Sequence, residues 1–259
     1  MILDEIIAEK KRTVGYSRFR LPLADLEGKA AAMTAMSPAK DFAQALRSSG
    51  IGCIAEFKRR SPSKGWIDRD ANLPSVVSAY ERGGAAAISV LTDTPFFGGS
   101  IDDLRVARAT TTLPILRKDF VIDPYQVTEA RAAGADAVLL IVAALRDLEL
   151  AQLLAEIRRW GMEALVEAHD ADEVARAVAV GAKIIGVNHR DLRTFQMNMD
   201  LAVTMRQAVP PECVMVAESG IRTSADVQRM RSARIDAILV GESLMQAPDP
   251  TAALRELLA

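Results

Sequence analysis

Arg131-Ala-Ala-Gly-Ala-Asp-Ala-Val-Leu-Leu-Ile141 runs from the end of a helix-forming stretch, through one glycine, into an unbroken apolar run. Glu81-Arg-Gly-Gly-Ala-Ala-Ala-Ile88 and Ala177-Val-Ala-Val-Gly-Ala-Lys-Ile184 have the same form, and Arg231-Ser-Ala-Arg-Ile-Asp-Ala-Ile238 keeps the rhythm without the glycine. Glycine at such a joint supplies the positive φ that ends a helix. An apolar run without alternation is how a strand buried on both faces reads. Outward from these joints the chain alternates to its end. Strands are expected near 53–58, 86–91, 114–117, 136–141, 162–167, 184–187, 213–217 and 236–240, and helices near 73–82, 101–109, 125–133, 146–159, 171–179, 200–208, 225–232 and 250–258. Such alternation predicts βα units with parallel strands. Eight units in roughly 210 residues suit a closed (β/α)8 barrel, which typically takes ~250 residues. The rival is a doubly wound open sheet, which calls for a Gly-rich dinucleotide loop after its first strand. Lys58-Arg-Arg-Ser-Pro62 is no such loop.

The expected fold is therefore α/β, a single (β/α)8 TIM barrel domain over residues 1–259, with residues 1–50 as a helical N-terminal extension. In the extension Ile2, Leu3, Ile6 and Ile7 fall at helical spacing, and Pro38 followed by Phe42, Ala45 and Leu46 predicts a second, short helix. This segment either covers one end of the barrel or folds over the active-site mouth and helps to hold substrate. Half of the 259 residues are hydrophobic and a quarter charged, as in an ordinary globule with a full core. The formal net charge of -2 argues against a general nucleic-acid binder, which needs a basic face. Cys53 and Cys213 form no paired motif, so two buried, reduced thiols are expected. His169 and His189 have no metal-ligand spacing. Met1-Ile-Leu-Asp-Glu5 is acidic where a signal peptide is basic, and no apolar run is long enough to cross a bilayer. The expectation is a cytoplasmic protein without membrane contact.

Seven apolar runs stop at a residue that does not belong in a core: Lys58, Asp93, Lys118, Glu167, Asn188, Glu218 and Gly241. Carboxyl ends of successive barrel strands meet at one rim, where barrel enzymes keep their active sites. In Ile54-Ala-Glu-Phe-Lys58 alternation puts Glu56 and Lys58 on the face of Ile54, where pairing reduces the cost of burying each charge. Lys118 and Glu167 repeat the theme on other strands. Lys118 can serve as a general acid or form a Schiff base, and the sequence leaves both open. Burial would raise the pKa of Glu167, while a nearby lysine pulls it down.

Two glycine turns follow the last two strands, Ala217-Glu-Ser-Gly-Ile-Arg222 and Val240-Gly-Glu-Ser-Leu244. Loops at these places often bind phosphate through backbone N–H groups. A phosphate monoester ligand is expected there. Arg190 and Asn188 add an anion-binding fork and an amide, whereas alternation turns His189 away from the cavity. Phe96-Phe-Gly-Gly99 places aromatics beside flexible glycines, and Phe120 follows Lys118. Such aromatics either pack or sandwich a flat substrate ring.

Six ordered motifs resemble those of the indole-3-glycerol-phosphate synthases of tryptophan biosynthesis. They are Glu56-Phe-Lys-Arg-Arg-Ser-Pro-Ser-Lys-Gly65, Leu91-Thr-Asp-Thr-Pro-Phe-Phe-Gly-Gly-Ser100, Leu116-Arg-Lys-Asp-Phe120, Gly186-Val-Asn-His-Arg-Asp-Leu192, Ala217-Glu-Ser-Gly-Ile221 and Gly241-Glu-Ser-Leu-Met245. The resemblance spans essentially the whole chain. It implies a barrel enzyme that closes the ring of 1-(2-carboxyphenylamino)-1-deoxyribulose 5-phosphate and then loses carbon dioxide and water. It implies that Lys118 is the general acid, that Lys58 binds the substrate carboxylate and helps in proton transfer, and that Glu167 serves the dehydration half. Glu56, Asn188 and Ser219 would orient these groups. Ser61, Phe97, Phe120, Leu139, Arg190 and Glu218 would contact substrate, and Ser219, Gly220, Gly241 and Glu242 would hold its phosphate. No metal, organic cofactor or obligate protein partner is implied. His189 and Phe96 depart from the usual pattern, which has Asn or Ser and Tyr there, but neither is an acid, base or carboxylate position.

Three other readings differ in their residues. A phosphoribosylanthranilate isomerase would use a cysteine–aspartate pair, and Cys53 lies at the wrong end of its strand for that. A class I aldolase would use a Schiff-base lysine. A non-catalytic phosphate-binding regulator would have no need of Glu56, Lys58, Lys118 and Glu167 together.

Overall fold

The computed structural model describes residues 2–47, 50–191 and 196–259; Met1 and Leu192, the last residue of the fourth motif, lie outside them. Eight parallel strands close into a barrel: β1 (Gly52–Phe57), β2 (Ala87–Leu91), β3 (Ile115–Lys118), β4 (Ala137–Ile141), β5 (Glu163–Ala168), β6 (Ile184–Asn188), β7 (Val214–Glu218) and β8 (Ala237–Val240). Strand β1 completes the ring by pairing with both β8 (Gly52 beside Ala237) and β2 (Ile54 beside Ala87). The expected helices are present too, although the one near 200–208 is α-helical only over Leu201–Met205 and finishes as a 3-10 turn. Between Arg60–Ser61 and Gly65–Trp66 a small antiparallel ladder shapes the loop after β1, a feature two residues per strand long and too short to leave a periodic signal.

The period of two along each strand sorts the barrel into two layers. Ile54, Ala87, Leu116, Ala137, Leu139, Leu165, Ile184, Val214, Val216, Ala237 and Leu239 belong to the interior cluster. Their strand neighbours Ala55, Ile88, Ile115, Val138, Val166, Ile185, Met215 and Ile238 join the cluster under the helices. Three of the repeated joints turn on a left-handed glycine, Gly84 (φ 95°), Gly134 (φ 93°) and Gly181 (φ 79°). Arg234 takes the same conformation (φ 58°) in the joint that lacks glycine, at a cost of roughly 1–2 kcal/mol.

The extension holds the barrel at both ends. Helix α1 spans Ile2–Arg20, α2 Leu23–Met36 and α3 Phe42–Arg47. Phe42 and Leu46 of α3, both fully buried, join the barrel interior at the amino-terminal end of the strands. There the Ala43 N–H donates to Glu163 Oε2 (2.8 Å), and a Cβ on Gly52 would stand 2.4 Å from the Leu46 carbonyl. Helix α1 lies across the opposite end, where Ile6 joins the interior cluster and Ile2 and Leu3 pack against it. Helix α3 thus covers one end of the barrel, and α1 lies over the mouth at the other. Helix α2 escaped the sequence analysis because its Ala-rich run carries no clear period. It lies on the helix Pro124–Ala132, whose buried Arg131 donates to Thr34 Oγ1 (3.0 Å) and to the carbonyls of Met33 (3.3 Å) and Ser37 at the α2 terminus.

Lys10 fastens α1 to the mouth. Its Nζ lies 2.8 Å from Asp93 Oδ2 and 2.7 Å from Asp119 Oδ1, with all three side chains buried. Asp119 also takes Arg117 Nη2 (3.0 Å) and Thr92 Oγ1 (2.7 Å). Burial alone would raise the Asp119 pKa, but Lys10 and Arg117 pull it down to about 2. Lys10→Met leaves two buried carboxylates without their shared cation, which we expect to cost about 3–5 kcal/mol in urea unfolding at neutral pH. Because the folded pKa of Asp119 is depressed, its contribution is complete above 3.8 and is lost as the pH falls towards about 2. The deficit of Lys10→Met should therefore narrow across that window. A constant deficit, or none, would show that the helix is held by apolar contacts instead.

Candidate active site

The carboxyl ends of the strands carry Glu56 (β1), Lys118 (β3), Glu167 (β5), Asn188 (β6) and Glu218 (β7) to one rim, under a cavity of about 340 Å³. Lys118 occupies its floor. Its Nζ lies 3.2 Å from Glu167 Oε2 and 3.4 Å from Glu218 Oε2. The other Glu167 oxygen accepts from Asn188 Nδ2 (3.1 Å) and lies 3.2 Å from His169 Nε2. Lys58, one residue beyond β1, pairs with Glu56 Oε1 at 2.5 Å, as their shared face requires.

Room for this cluster comes from two glycines. A Cβ on Gly186 would stand 2.1 Å from Glu218 Oε1, and one on Gly241 would stand 2.6 Å from Glu56 Oε1. Any larger residue at either position would push a carboxylate out of place.

The electrostatics separate the carboxyl groups. Burial by itself would lower the pKa of Lys118, but the charges of Glu167, Glu218 and Glu56 outweigh it and raise it, so the ammonium keeps its proton. Burial would raise both carboxyl groups. For Glu167 the charge of Lys118, the contact with His169 and the Asn188 amide reverse that and hold its pKa well below the usual range. For Glu218 burial wins, reinforced by Glu167 and Glu56 against Lys118, and its pKa rises to about 8. Neither Glu218 oxygen has a hydrogen-bond partner among the described residues. One carboxylate is thus ionised and its neighbour protonated around neutrality, the separation that assigns base and donor in other paired-carboxyl sites.

The remaining residues from the sequence analysis line the same cavity. Ser61 comes from the loop after β1, Leu139 from β4 and Arg190 from the segment after β6. Arg190 donates its backbone N–H to Asn188 Oδ1 (3.0 Å), which fixes the amide so that its NH2 faces Glu167. Ser219 (φ 68°) and Gly220 (φ 78°) turn the chain after β7 with two consecutive left-handed residues. A Cβ on Gly220 would meet Met199 Sδ at 2.4 Å. Gly241 starts the short helix Glu242–Met245, and the Glu242 carboxylate turns towards Arg222 (3.7 Å) and Lys64 (3.9 Å). His189, buried and away from the cavity wall, takes the place that alternation gave it. Its Nδ1 lies 2.9 Å from the Ser219 carbonyl and so props up the turn after β7.

Two expectations change. Phe97 and Phe120 both line the cavity, but their rings touch, with centroids 6.0 Å apart at 38°. They make one tilted aromatic wall with no slot for a ring between them. The glycines of that loop are close-approach positions rather than flexible ones: a Cβ on Gly98 would stand 2.9 Å from the Trp66 ring and one on Gly99 2.0 Å from the Leu91 carbonyl. Sequence reasoning also passed over His169 beside Glu167, although alternation sets residues 167 and 169 on one side of the chain. It gave no hint of Met197 and Met199 in the wall.

A family model described as indole-3-glycerol phosphate synthase matches residues 3–257. Indole-3-glycerol phosphate synthase 2 of Streptomyces coelicolor is 51% identical over 257 residues, covering 99% of this chain and 98% of its own. Indole-3-glycerol phosphate synthase of Rhodopirellula baltica is 43% identical over 259 residues, covering 100% of this chain and 99% of its own. Among solved structures, thiamine phosphate pyrophosphorylase from Pyrococcus furiosus superposes with a TM-score of 0.62 at 18% identity, covering 84% of this chain and 96% of its own. The 3-hexulose-6-phosphate synthase of Salmonella typhimurium does so with 0.63 at 15%, covering 80% and 96%. At such identities these two show the barrel fold alone.

The raised Glu218 pKa has a direct readout. Infrared difference spectra should show a protonated-carboxyl band that disappears as the pH passes about 8 and is missing from Glu218→Gln. Since the folded value lies above the ordinary 4.5, this group's contribution to stability is complete below 4.5 and is lost as the pH rises through about 8. Glu218→Gln should flatten that fall. An identical pH profile in the variant would mean that Glu218 is ionised in the folded protein.

Proposed function

The chain belongs to the indole-3-glycerol phosphate synthase family, and from that premise we propose how its cavity divides the work. The enzyme is a carboxy-lyase: it closes the ring of 1-(2-carboxyphenylamino)-1-deoxyribulose 5-phosphate to indole-3-glycerol phosphate, with loss of carbon dioxide and water. The observation that carries our reading is the position of Lys118 Nζ between two buried carboxyl groups, 3.2 Å from Glu167 and 3.4 Å from Glu218.

The phosphate binds at the turns after β7 and β8, to the backbone of Ser219, Gly220, Gly241 and Glu242. The left-handed pair at Ser219 and Gly220 supports this, since successive N–H groups in such turns form anion-binding concavities. The Glu242 carboxylate, drawn towards Lys64 and Arg222, leaves its backbone to face the anion. The substrate carboxylate lies near Lys58, with Ser61 and Arg190 close by. The aryl ring rests on the Phe97–Phe120 wall, with Leu139 in the wall and Ile2, Leu3 and Ile6 of α1 over the mouth.

As the carboxylated aryl carbon attacks the ketone, negative charge grows on the ketone oxygen. Lys118, held protonated by its carboxylates, is a poor donor to a ketone but a matched donor to the forming alkoxide. The carbon–carboxylate bond then breaks, and its electron pair restores the aromatic ring. In the second half the new hydroxyl leaves as water with a proton relayed by Lys58, and Glu167 takes the proton lost from the neighbouring carbon. Two protons go to oxygen and one leaves carbon, so each turnover draws one proton from solvent. Glu56 orients Lys58, Asn188 orients Glu167, and Glu218 donates its proton in a hydrogen bond to bound substrate. Barrel and extension act as one domain, in the cytoplasm and without an obligate protein partner.

Two variants test the division. Lys118→Ala should still bind substrate but lose ~10²–10⁴-fold in turnover; a loss of less than roughly tenfold would move the acid role to Lys58. Glu167→Gln keeps the size and hydrogen-bonding of the side chain but cannot accept a proton. In a single turnover followed by rapid quench it should release carbon dioxide at the parent rate, with indole formation lagging behind. Equal slowing of both signals would place Glu167 at or before ring closure.

A further inference from the structure

His169 stands on the side of the chain that carries Glu167, yet it does not reach the cavity wall. Glu167 is gripped at both oxygens: Oε2 faces Lys118, and Oε1 faces Asn188 Nδ2 and, at 3.2 Å, His169 Nε2. The Nε2 contact is not a hydrogen bond and becomes an ion pair when the ring is protonated. At the other edge of the ring, Nδ1 lies 3.1 Å from Glu173 Oε2, which also accepts the His169 backbone N–H at 2.8 Å. Glu173 sits in the first turn of the helix Ala171–Ala179, capped by Asp170. With a proton on each nitrogen the ring presents a donor to both carboxylates. Burial would lower its pKa, but the contacts and charges of Glu167 and Glu173 raise it to about 10.

We propose that His169 is a positioning residue for the reaction, a second cation that holds Glu167 in place and keeps it ionised while Lys118 is without its proton. The inference rests on the reading of Glu167 as the base of the dehydration half. Glu167 is buried, and burial favours its neutral form. Once Lys118 has protonated the alkoxide, one of the two cations beside Glu167 is gone. A carboxylate left without a counter-charge there would take up a stray proton and be lost as a base. His169 keeps its charge through this interval because Glu173 binds it from the side away from the substrate. The charged groups that face the ring are Glu167 on its own strand and Glu173 on the following helix; Lys118 lies beyond Glu167, and Asn188 from β6 is neutral.

The test measures kcat, KM and the pH profile of kcat for His169→Ala, His169→Gln and Glu173→Gln in the full chain, with Glu167→Gln alongside. His169→Ala should lower kcat by about tenfold or more, a share of the ~10²–10⁴-fold available to acid–base catalysis, with KM changed less than about twofold. The acid limb of its profile should move to higher pH, because Glu167 then takes a proton more readily. His169→Gln can reach Glu167 but brings no charge, so its acid limb should move as well; Glu173→Gln should shift it in the same direction and less far. An unchanged kcat in His169→Ala, a rise in KM alone, or a fall in kcat with the acid limb unmoved would overturn the proposal. If His169→Ala does not fold, a parental acid limb in His169→Gln overturns it equally. Should Glu167→Gln keep the parental kcat, the reading of Glu167 falls and this inference with it. A slow Glu167→Gln beside a fast His169→Ala removes the His169 inference alone.

Discussion

A lysine at the floor of a closed barrel keeps its charge only if anions surround it, and Lys118 sets the terms for the rest of this cavity. Three carboxyl groups answer it, Glu56, Glu167 and Glu218. Glu56 also has Lys58, and Glu167 has Asn188 and His169, whereas Glu218 has Lys118 alone, so burial weighs most on Glu218. Glu218, with no hydrogen-bond partner for either oxygen among the described residues, takes the proton. Glu167, with an amide and an imidazole at one oxygen and the ammonium at the other, stays ionised. Even the two glycines that make room for Glu218 and Glu56 are consequences of fitting so many charged groups into one layer.

The same logic reaches the extension. Asp93 and Asp119 stand beyond the carboxyl ends of their strands, and Lys10 brings a cation to both from a helix more than 80 residues earlier in the chain. Neutralising those carboxylates and covering the mouth are one structural act, because the helix that carries Lys10 also presents Ile2, Leu3 and Ile6 to the cavity. At the opposite end Phe42 and Leu46 fill the barrel floor.

Much of this was legible in the residues. The repeated joints and the apolar runs located every barrel strand to within a residue, because burial on both faces keeps most of each strand apolar until its carboxyl end. Alternation then placed Glu56 with Lys58 and turned His189 outward, and both placements hold. Where periodicity was weak the reading failed. The Ala-rich run of α2 forms a helix with little apolar stripe to announce it, and the ladder beside Trp66 is too short for a period of two to register. In the sequence the glycines at 98 and 99 read as a source of freedom, although their missing side chains serve contacts with Trp66 and Leu91 that no local pattern reveals.

By itself, then, the sequence determined which side chains reach the rim, since that follows from strand period and from where each apolar run stops. It could not decide their protonation or their pairing. Lys118 and Glu167 are separated by 49 residues, and their 3.2 Å contact exists only once the barrel has closed. Whether a buried carboxyl is acid or base depends on the distances to every other charge around it and on how much water remains, and both are properties of the closed fold. For the same reason a histidine that looked unremarkable beside Asp170 proves to be the second cation on Glu167.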